Sequence, residues 1–249
     1  MVQLKSHAEI EIMRRANIIV AEVLQKISEH IQPGVTTAEL DERAEQIIRK
    51  KGGVPAFKGY GGFPATLCTS INEVVVHGIP SKDKVLKGGD IIGVDCGVCL
   101  EGFFGDSAVT FAVGKISEDA ARLMKVTDEA LQKAIEKAKV GNRLSDISHA
   151  VQSHVEQQGY SVVRSFVGHG IGKNLHENPQ IPNFGPPGKG IRLKAGMVFA
   201  IEPMINSGGS DVVVLSDGWT AKTSDDSLSA HFEHSVAITD SGPYVLSQI

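Results

Sequence analysis

The chain has 249 residues, 41% of them hydrophobic and 22% charged, with a formal net charge of -4. This length and apolar fraction suffice for one large domain or two fused halves around a sizeable core. The charged residues are scattered evenly, which disfavours nucleic-acid binding by the chain itself. No apolar run has transmembrane length and no basic-then-apolar leader opens the chain, so we expect a cytoplasmic protein without a membrane segment.

Three cysteines fit a reducing compartment, because an odd number cannot all pair within the chain. Cys96 and Cys99 form a C-x-x-C pattern, but no second pair completes a zinc site. Residues i and i+3 of a strand also point to opposite faces. We therefore expect buried thiols that pack as small hydrophobic side chains.

Helix signals open the first half of the chain. Ser6-x-x-Glu9 is a capping box that starts a long amphipathic helix, which the turn at Pro33-Gly34 stops. Thr36-x-x-Glu39 starts a shorter helix that ends at Gly52-Gly53. From about 63 to 113 β-branched residues cluster between glycines, which predicts strands.

The second half repeats this order. Ser117 caps a predicted helix that ends at Gly141, and a shorter helix follows and ends at Gly159. Four pairs of positions differ by the same 107 residues: Gly34 and Gly141, Gly52 and Gly159, Leu86 and Leu193, Asp95 and Glu202. Two copies of one plan predict a pseudo-symmetric domain whose halves pack together.

The repeat places carboxylates at matching strand ends. Asp95 follows the apolar run LKGGDIIGV, and a turn near residue 101 would bring Asp106 directly opposite it. An isolated aspartate commonly caps a turn, but the second half supplies a matching pair, Glu202 and Glu233. Four carboxylates in one cleft repel each other, and two divalent cations would offset that repulsion.

Histidines near the repeated segments add a nitrogen ligand. His77 and His169 occupy a repeated His-Gly-Ile, and His176 follows in the same glycine-rich loop as His169. One imidazole among carboxylates suits Mn, Fe or Co better than a thiolate-preferring ion, and zinc stays open. His176-Glu177 does not begin a zincin H-E-x-x-H motif, because Gln180 takes the last place. Nucleophile-elbow, phosphate-loop and dinucleotide motifs are also absent from the sequence.

With VVHGIP, GVDCGV, GDSAVTF, GHGIG, NLHENP, FAIEP and HFEHS in place, the chain resembles bacterial, type I methionine aminopeptidases of family M24. The resemblance runs nearly end to end and includes five metal ligands in order and spacing. It implies the α+β pita-bread fold, with a curved antiparallel sheet, outer helices and a central dinuclear metal site. It also implies one catalytic domain, 1–249, with halves of about 1–114 and 115–249.

The resemblance implies a role for each motif residue. Asp95 would chelate one ion, His169 and Glu202 would complete the other, and Asp106 and Glu233 would bridge both. His77 and His176 would handle the scissile amide and the developing oxyanion, and Glu202 would also shuttle a proton to the leaving amine. The implied cofactors are two divalent ions, drawn from Co, Mn, Fe, Zn and Ni. The implied reaction is metal-hydroxide hydrolysis of the first peptide bond.

Specificity would come from an apolar slot for an unbranched thioether. The positions that resemble this methionine pocket are Tyr60, Phe63, Cys68 and Trp219. Ordinary hydrophobic packing stays an alternative for Phe63 and Cys68. The chain departs from the family at Leu175, where an aromatic residue is common, and at Phe57, where a smaller residue is frequent.

The implied substrates are nascent polypeptides that begin with Met and a small second residue. A monomer is expected, and the resemblance alone suggests a transient ribosome contact. Aminopeptidase P and prolidase share the ligand set and are one alternative, although they usually carry a further N-terminal domain. A pita-bread domain that has lost its metal and binds peptides is another, which the five retained ligands disfavour.

Overall fold

The computed structural model describes residues 2–249. Across that range the chain forms four α-helices: α1 His7–Ser28, α2 Thr37–Lys50, α3 Glu118–Lys137 and α4 Leu144–Gln157. A short 3-10 helix covers Tyr60–Gly62. No helix within residues 2–249 combines the length and apolar character that crossing a membrane requires.

The predicted caps start three of these helices. Ser6 and Glu9 form a reciprocal capping box at α1, and Thr36 and Glu39 form another at α2. The side chain of Ser117 accepts a hydrogen bond from the Ala120 amide at the start of α3. The sequence prediction of these helix starts is therefore confirmed.

Fifteen strands within residues 2–249 fill the space between the helices. In chain order they are β1 Val54–Pro55, β2 Leu67–Ile71, β3 Val74–Val76, β4 Ile91–Leu100, β5 Phe103–Ala112, β6 Ser161–Val162, β7 Gly168–Gly170, β8 Glu177–Ile181, β9 Val198–Ile201, β10 Met204–Asn206, β11 Val212–Val214, β12 Ala221–Thr223, β13 Ser229–His231, β14 His234–Thr239 and β15 Gly242–Val245. Every pairing is antiparallel. The largest sheet has the order β15-β14-β9-β7-β8, and a second sheet is built around β4, which pairs with β1, β2 and β5.

The two halves repeat their backbone hydrogen bonds with the offset found in the sequence. The Gly34 amide donates to the Leu86 carbonyl at 2.8 Å, and the Gly141 amide donates to the Leu193 carbonyl at 3.2 Å. Both glycines have positive φ, 95° and 91°. The bridge Thr36–Val85 likewise recurs as Arg143–Arg192. Because donors, acceptors and backbone conformation all recur, the repeat is one of structure as well as of sequence.

Each half contributes an apolar core. The first core packs α1 and α2 against β4, with Leu40, Ile48 and Ile92 fully buried. The second packs α3 and α4 against β9 and β14. A third cluster, which includes Phe57, Phe63, Cys68 and Leu175, lies beside the cavity described below.

The predicted register of the β4–β5 hairpin is wrong by two residues. Asp95 pairs with Ala108, and Asp106 pairs with Gly97. The reason is the turn, which consists of Glu101 and Gly102, both at positive φ as a two-residue type I′ turn requires. An even shift keeps both carboxylates on one face, so they are diagonal neighbours instead of a directly opposed pair.

Candidate metal centre

Side chains from several strands and from the segments that follow them converge on one cavity of about 130 Å³. Asp95 lies on β4, Asp106 on β5 and His169 on β7, while Glu202 follows β9 and Glu233 lies between β13 and β14. All five side chains line this cavity. The structure thus brings together the five residues that the sequence singled out as ligands.

Three of them form a compact set of donor atoms. One ligand atom each from Asp106, His169 and Glu233 lies within 4.8 Å of the others, and all three residues are buried. The Nε2 atom of His169 is also 3.5 Å from Oε1 of Glu202 and 4.0 Å from Oδ2 of Asp106. Carboxylate and imidazole donors this close form a set that a first-row divalent cation accepts.

Hydrogen bonds between the halves position two of these carboxylates. The Asp106 amide donates to Oδ1 of Asn17 and to Oγ of Ser235, both at 3.2 Å. The Ser107 hydroxyl donates to the Glu233 carbonyl at 2.5 Å. The bonds that involve Ser235 and Ser107 join residues 129 and 126 positions apart and connect the two halves, while Asn17 holds Asp106 from within the first half.

Glycines on either side of His169 let the backbone approach its neighbours. A Cβ on Gly168 would lie 2.5 Å from the Ala200 carbonyl oxygen, and one on Gly170 would lie 2.4 Å from that of Asn178. The Nδ1 atom of His169 is 2.9 Å from the Gly170 carbonyl oxygen. Since a carbonyl only accepts, Nδ1 carries the proton and the lone pair of Nε2 faces the carboxylates.

Burial dominates the electrostatics of the cluster. It raises the pKa of the Asp95 carboxyl to about 7. Burial and the neighbouring carboxylates also raise the pKa values of Asp106, Glu202 and Glu233 well above their ordinary range. Burial lowers the pKa of His169 to about 3, so its imidazole is neutral at pH 7.

The buried oxygens also test whether a cation fits. Oδ1 of Asp95, Oδ1 of Asp106 and Oε1 of Glu233 are buried and have no hydrogen-bond partner within residues 2–249. Buried carboxylates without partners are strongly unfavourable. Divalent cations would satisfy these atoms and offset their charge, so the donor set fits such ions.

The remaining predicted site residues form the walls of the cavity. Tyr60, Phe63, Cys68 and Trp219 all line it, as do the two departures Phe57 and Leu175. Phe63 and Trp219 pack edge to face, with ring centroids 5.2 Å apart. Burial raises the pKa of the Cys68 thiol well above its ordinary value, so the thiol stays protonated and apolar in character.

His77 and His176 reach the cavity from different elements. His77 has a φ of 59° and packs edge to face against Phe166. Burial lowers its pKa to about 4, which leaves the ring neutral at pH 7. Nδ1 of His176 lies 2.8 Å from the hydroxyl of Tyr60, and its ring centroid is 4.3 Å from that of His169.

The sequence interpretation missed His231. This side chain is 4% exposed, and its Nε2 atom lies 3.7 Å from Oε2 of Glu202. The sequence did contain an indication of this residue: in the segment HFEHS, strand alternation places His231 on the same side as Glu233.

Comparisons with known proteins agree with this architecture. Residues 11–240 match the model of metallopeptidase family M24. The chain is 57% identical to the methionine aminopeptidase of Clostridium acetobutylicum, with 99% of each chain covered. It is 52% identical to methionine aminopeptidase 1 of Bacillus subtilis, with 100% of each chain covered.

Solved structures agree on the fold. The crystal structure of methionine aminopeptidase from Thermotoga maritima matches with a TM-score of 0.99 at 48% identity, over 100% of both chains. The prolidase from Pyrococcus horikoshii matches with a TM-score of 0.79 at 24% identity, over 98% of this chain and 63% of its own, which supports the fold alone. The expected pita-bread fold is confirmed, and the chain belongs to metallopeptidase family M24, within its bacterial-type methionine aminopeptidases.

Proposed function

We propose that this protein removes the N-terminal methionine from polypeptides whose second residue is small. The observation that carries the proposal is the buried set of Asp106, His169 and Glu233 at an apolar cavity with aromatic walls. This arrangement joins a cation-binding end to a slot suited to a thioether side chain. Full-length similarity to curated methionine aminopeptidases supports the same activity.

Two divalent ions are proposed as cofactors, drawn from Co, Mn, Fe, Zn and Ni. The residues that would hold them are Asp95, Asp106, His169, Glu202 and Glu233. When bound, such ions supply Lewis acidity and a water of lowered pKa. The three unpartnered carboxylate oxygens and the free lone pair of His169 support this assignment.

The imidazoles of His77 and His176 are proposed to hydrogen-bond the scissile amide. Burial lowers the pKa of both rings, which favours neutral imidazoles near pH 7. A neutral imidazole has one N–H donor and one acceptor nitrogen, so each ring can either donate a hydrogen bond to the amide or accept one from it. Glu202 is proposed to carry the proton to the leaving amine, because its carboxylate faces the cavity beside His169.

The methionine side chain is proposed to lie among Tyr60, Phe63, Cys68 and Trp219, with Phe57 and Leu175 completing the wall. Polarizable sulfur favours contact with aromatic edges, and an unbranched chain suits a narrow cavity. Selectivity for a small second residue would follow from the limited volume of about 130 Å³.

The proposal extends to the setting of the reaction. One catalytic domain over 1–249, with halves of about 1–114 and 115–249, would act as a monomer on nascent chains in the cytoplasm. A transient ribosome contact would deliver the substrate. These points rest on the family resemblance.

The substrate class is tested with three peptides and metal-restored protein: Met-Ala-Ser, Met-Lys-Ser and Ala-Pro-Ser. Free amino acids are quantified by mass spectrometry. Release of methionine from Met-Ala-Ser alone is expected. Release of alanine from Ala-Pro-Ser would move the protein to an aminopeptidase P-like activity. Binding of metal without release from any peptide would instead indicate a peptide-binding module.

A further inference from the structure

His231 is a buried histidine, and its Nε2 atom has no hydrogen-bond partner within residues 2–249. The nearest carboxylate oxygen to Nε2, Oε2 of Glu202, lies 3.7 Å away, beyond hydrogen-bond distance. Burying an unsatisfied polar atom is unfavourable, so such an atom beside a functional carboxylate calls for an explanation.

The backbone holds His231 firmly in place. Its amide donates to Oγ1 of Thr110 at 2.9 Å, and the same hydroxyl donates to its carbonyl at 2.8 Å. His231 also pairs with Met204 between β13 and β10. The imidazole is therefore presented to Glu202 from a rigid strand end.

The Glu202 carboxylate lies between two imidazoles, one for each oxygen. Oε1 is 3.5 Å from His169, and Oε2 is 3.7 Å from His231. Within residues 2–249 no hydrogen-bond donor holds either oxygen at shorter range. A shift of less than about 1 Å would bring Oε2 and His231 within hydrogen-bond distance.

We propose that His231 is a positioning residue for Glu202, with Nε2–H donating to Oε2 so that Oε1 is directed toward the His169 side of the site. A carboxylate that binds a cation only accepts hydrogen bonds, so the nitrogen that faces it must donate. Partners of this kind orient metal ligands and tune their affinity. The inference rests on the proposed metal-dependent function.

The test replaces His231 by glutamine and by asparagine, whose side-chain amides extend to different lengths from the backbone. In His231→Gln the amide nitrogen reaches about where Nε2 lies, while in His231→Asn it stops short. Metal-free proteins are titrated with Co²⁺, and binding is followed by visible absorption. His231→Asn is expected to weaken Co²⁺ binding about 10- to 100-fold, with His231→Gln within roughly threefold of the unmodified protein.

Two controls separate positioning from a general effect on folding. His154→Asn changes a partly buried histidine that pairs with Glu129 on the helices, and it should leave Co²⁺ binding unchanged. In a Glu202→Gln background, His231→Asn should weaken binding no further, because the carboxylate that it positions is gone.

Three results would overturn the inference: unchanged Co²⁺ binding in His231→Asn, equal losses in the Asn and Gln variants, or an undiminished effect in the Glu202→Gln background. Equal losses would mean that the imidazole itself is needed. Failure of the proposed function is distinguishable, because it would appear in the unmodified protein as no Co²⁺ binding and no methionine release.

Discussion

The hydroxyl of Ser107 donates a hydrogen bond to the carbonyl of Glu233, a residue 126 positions away. Ser107 follows Asp106 directly, so this bond joins two candidate metal ligands that belong to different halves of the chain. The relative placement of the two ligands thus depends on contacts between the halves.

Ser107→Ala removes that bond and leaves a buried carbonyl with one partner fewer. We expect a loss of about 1–3 kcal/mol in the free energy of unfolding, measured by urea denaturation of the metal-free protein. Divalent-metal affinity should fall as well. Ser28→Ala, which removes an exposed hydroxyl at the end of α1, is the control and should change neither quantity. Equal stability of both variants would show that the bond between halves is unimportant.

Asp106→Asn should have opposite effects on stability and on activity. It removes one charge from a buried cluster of carboxylates, so the metal-free variant is expected to melt higher than the unmodified metal-free protein at pH 8. The same change should weaken metal binding and abolish methionine release. Calorimetry and a metal titration check the two halves of this prediction. Retained turnover would contradict the assignment of Asp106 as a metal ligand.

The stability of the metal-free protein should fall as pH rises from about 4 to 7. Burial raises the folded-state pKa of Asp95 to about 7, above the unfolded value of about 3.9. Between these values the folded state holds the extra proton, so its stability advantage is present at low pH and is lost as pH passes through about 7. The melting temperature of Asp95→Asn should depend less on pH. An identical pH slope for both proteins would refute this explanation.

Gly97 makes room for a wall of the cavity. A Cβ at this position would lie 2.5 Å from Cε1 of Phe57, so Gly97→Ala must displace that ring. We expect about a tenfold rise in KM for Met-Ala-Ser and a destabilisation of about 1–3 kcal/mol. Gly93 lies on the same strand, and a Cβ there would be 3.6 Å from its nearest neighbour, the Cβ of Ser70, so Gly93→Ala is the control. Steady-state kinetics should distinguish the two, and equal KM values would exclude Phe57 from the methionine slot.

Local signals in the sequence predicted much of the fold. The capping boxes at Ser6 and Thr36 mark helix starts because their side chains satisfy otherwise unpaired amides. The 107-residue offset predicted a structural repeat, and Gly34 and Gly141 accordingly share a positive φ. The caps depend on neighbours in sequence and the repeat on a comparison of the chain with itself, so a single chain reveals both.

Features that depend on long-range packing were harder to predict. The register of Asp95 and Asp106 was missed because moving the centre of the turn by one residue shifts the strand pairing by two, and the residue types alone do not show where that centre lies. His231 was missed because its importance comes from the approach of Glu202, which arrives from another strand. Phe57 and Leu175 stand out in the sequence as departures from the family, but only the folded structure shows that both side chains line the cavity.

The central claim is that buried carboxylates and His169 would hold divalent ions, and that the protein loaded with them would remove an N-terminal methionine. It is tested most directly by the rate of methionine release from Met-Ala-Ser, measured with chelator-treated protein before and after addition of Mn²⁺. The account predicts no release before addition and steady release afterwards. Release that is equally fast in the metal-free protein, or none after Mn²⁺ has bound, would contradict it.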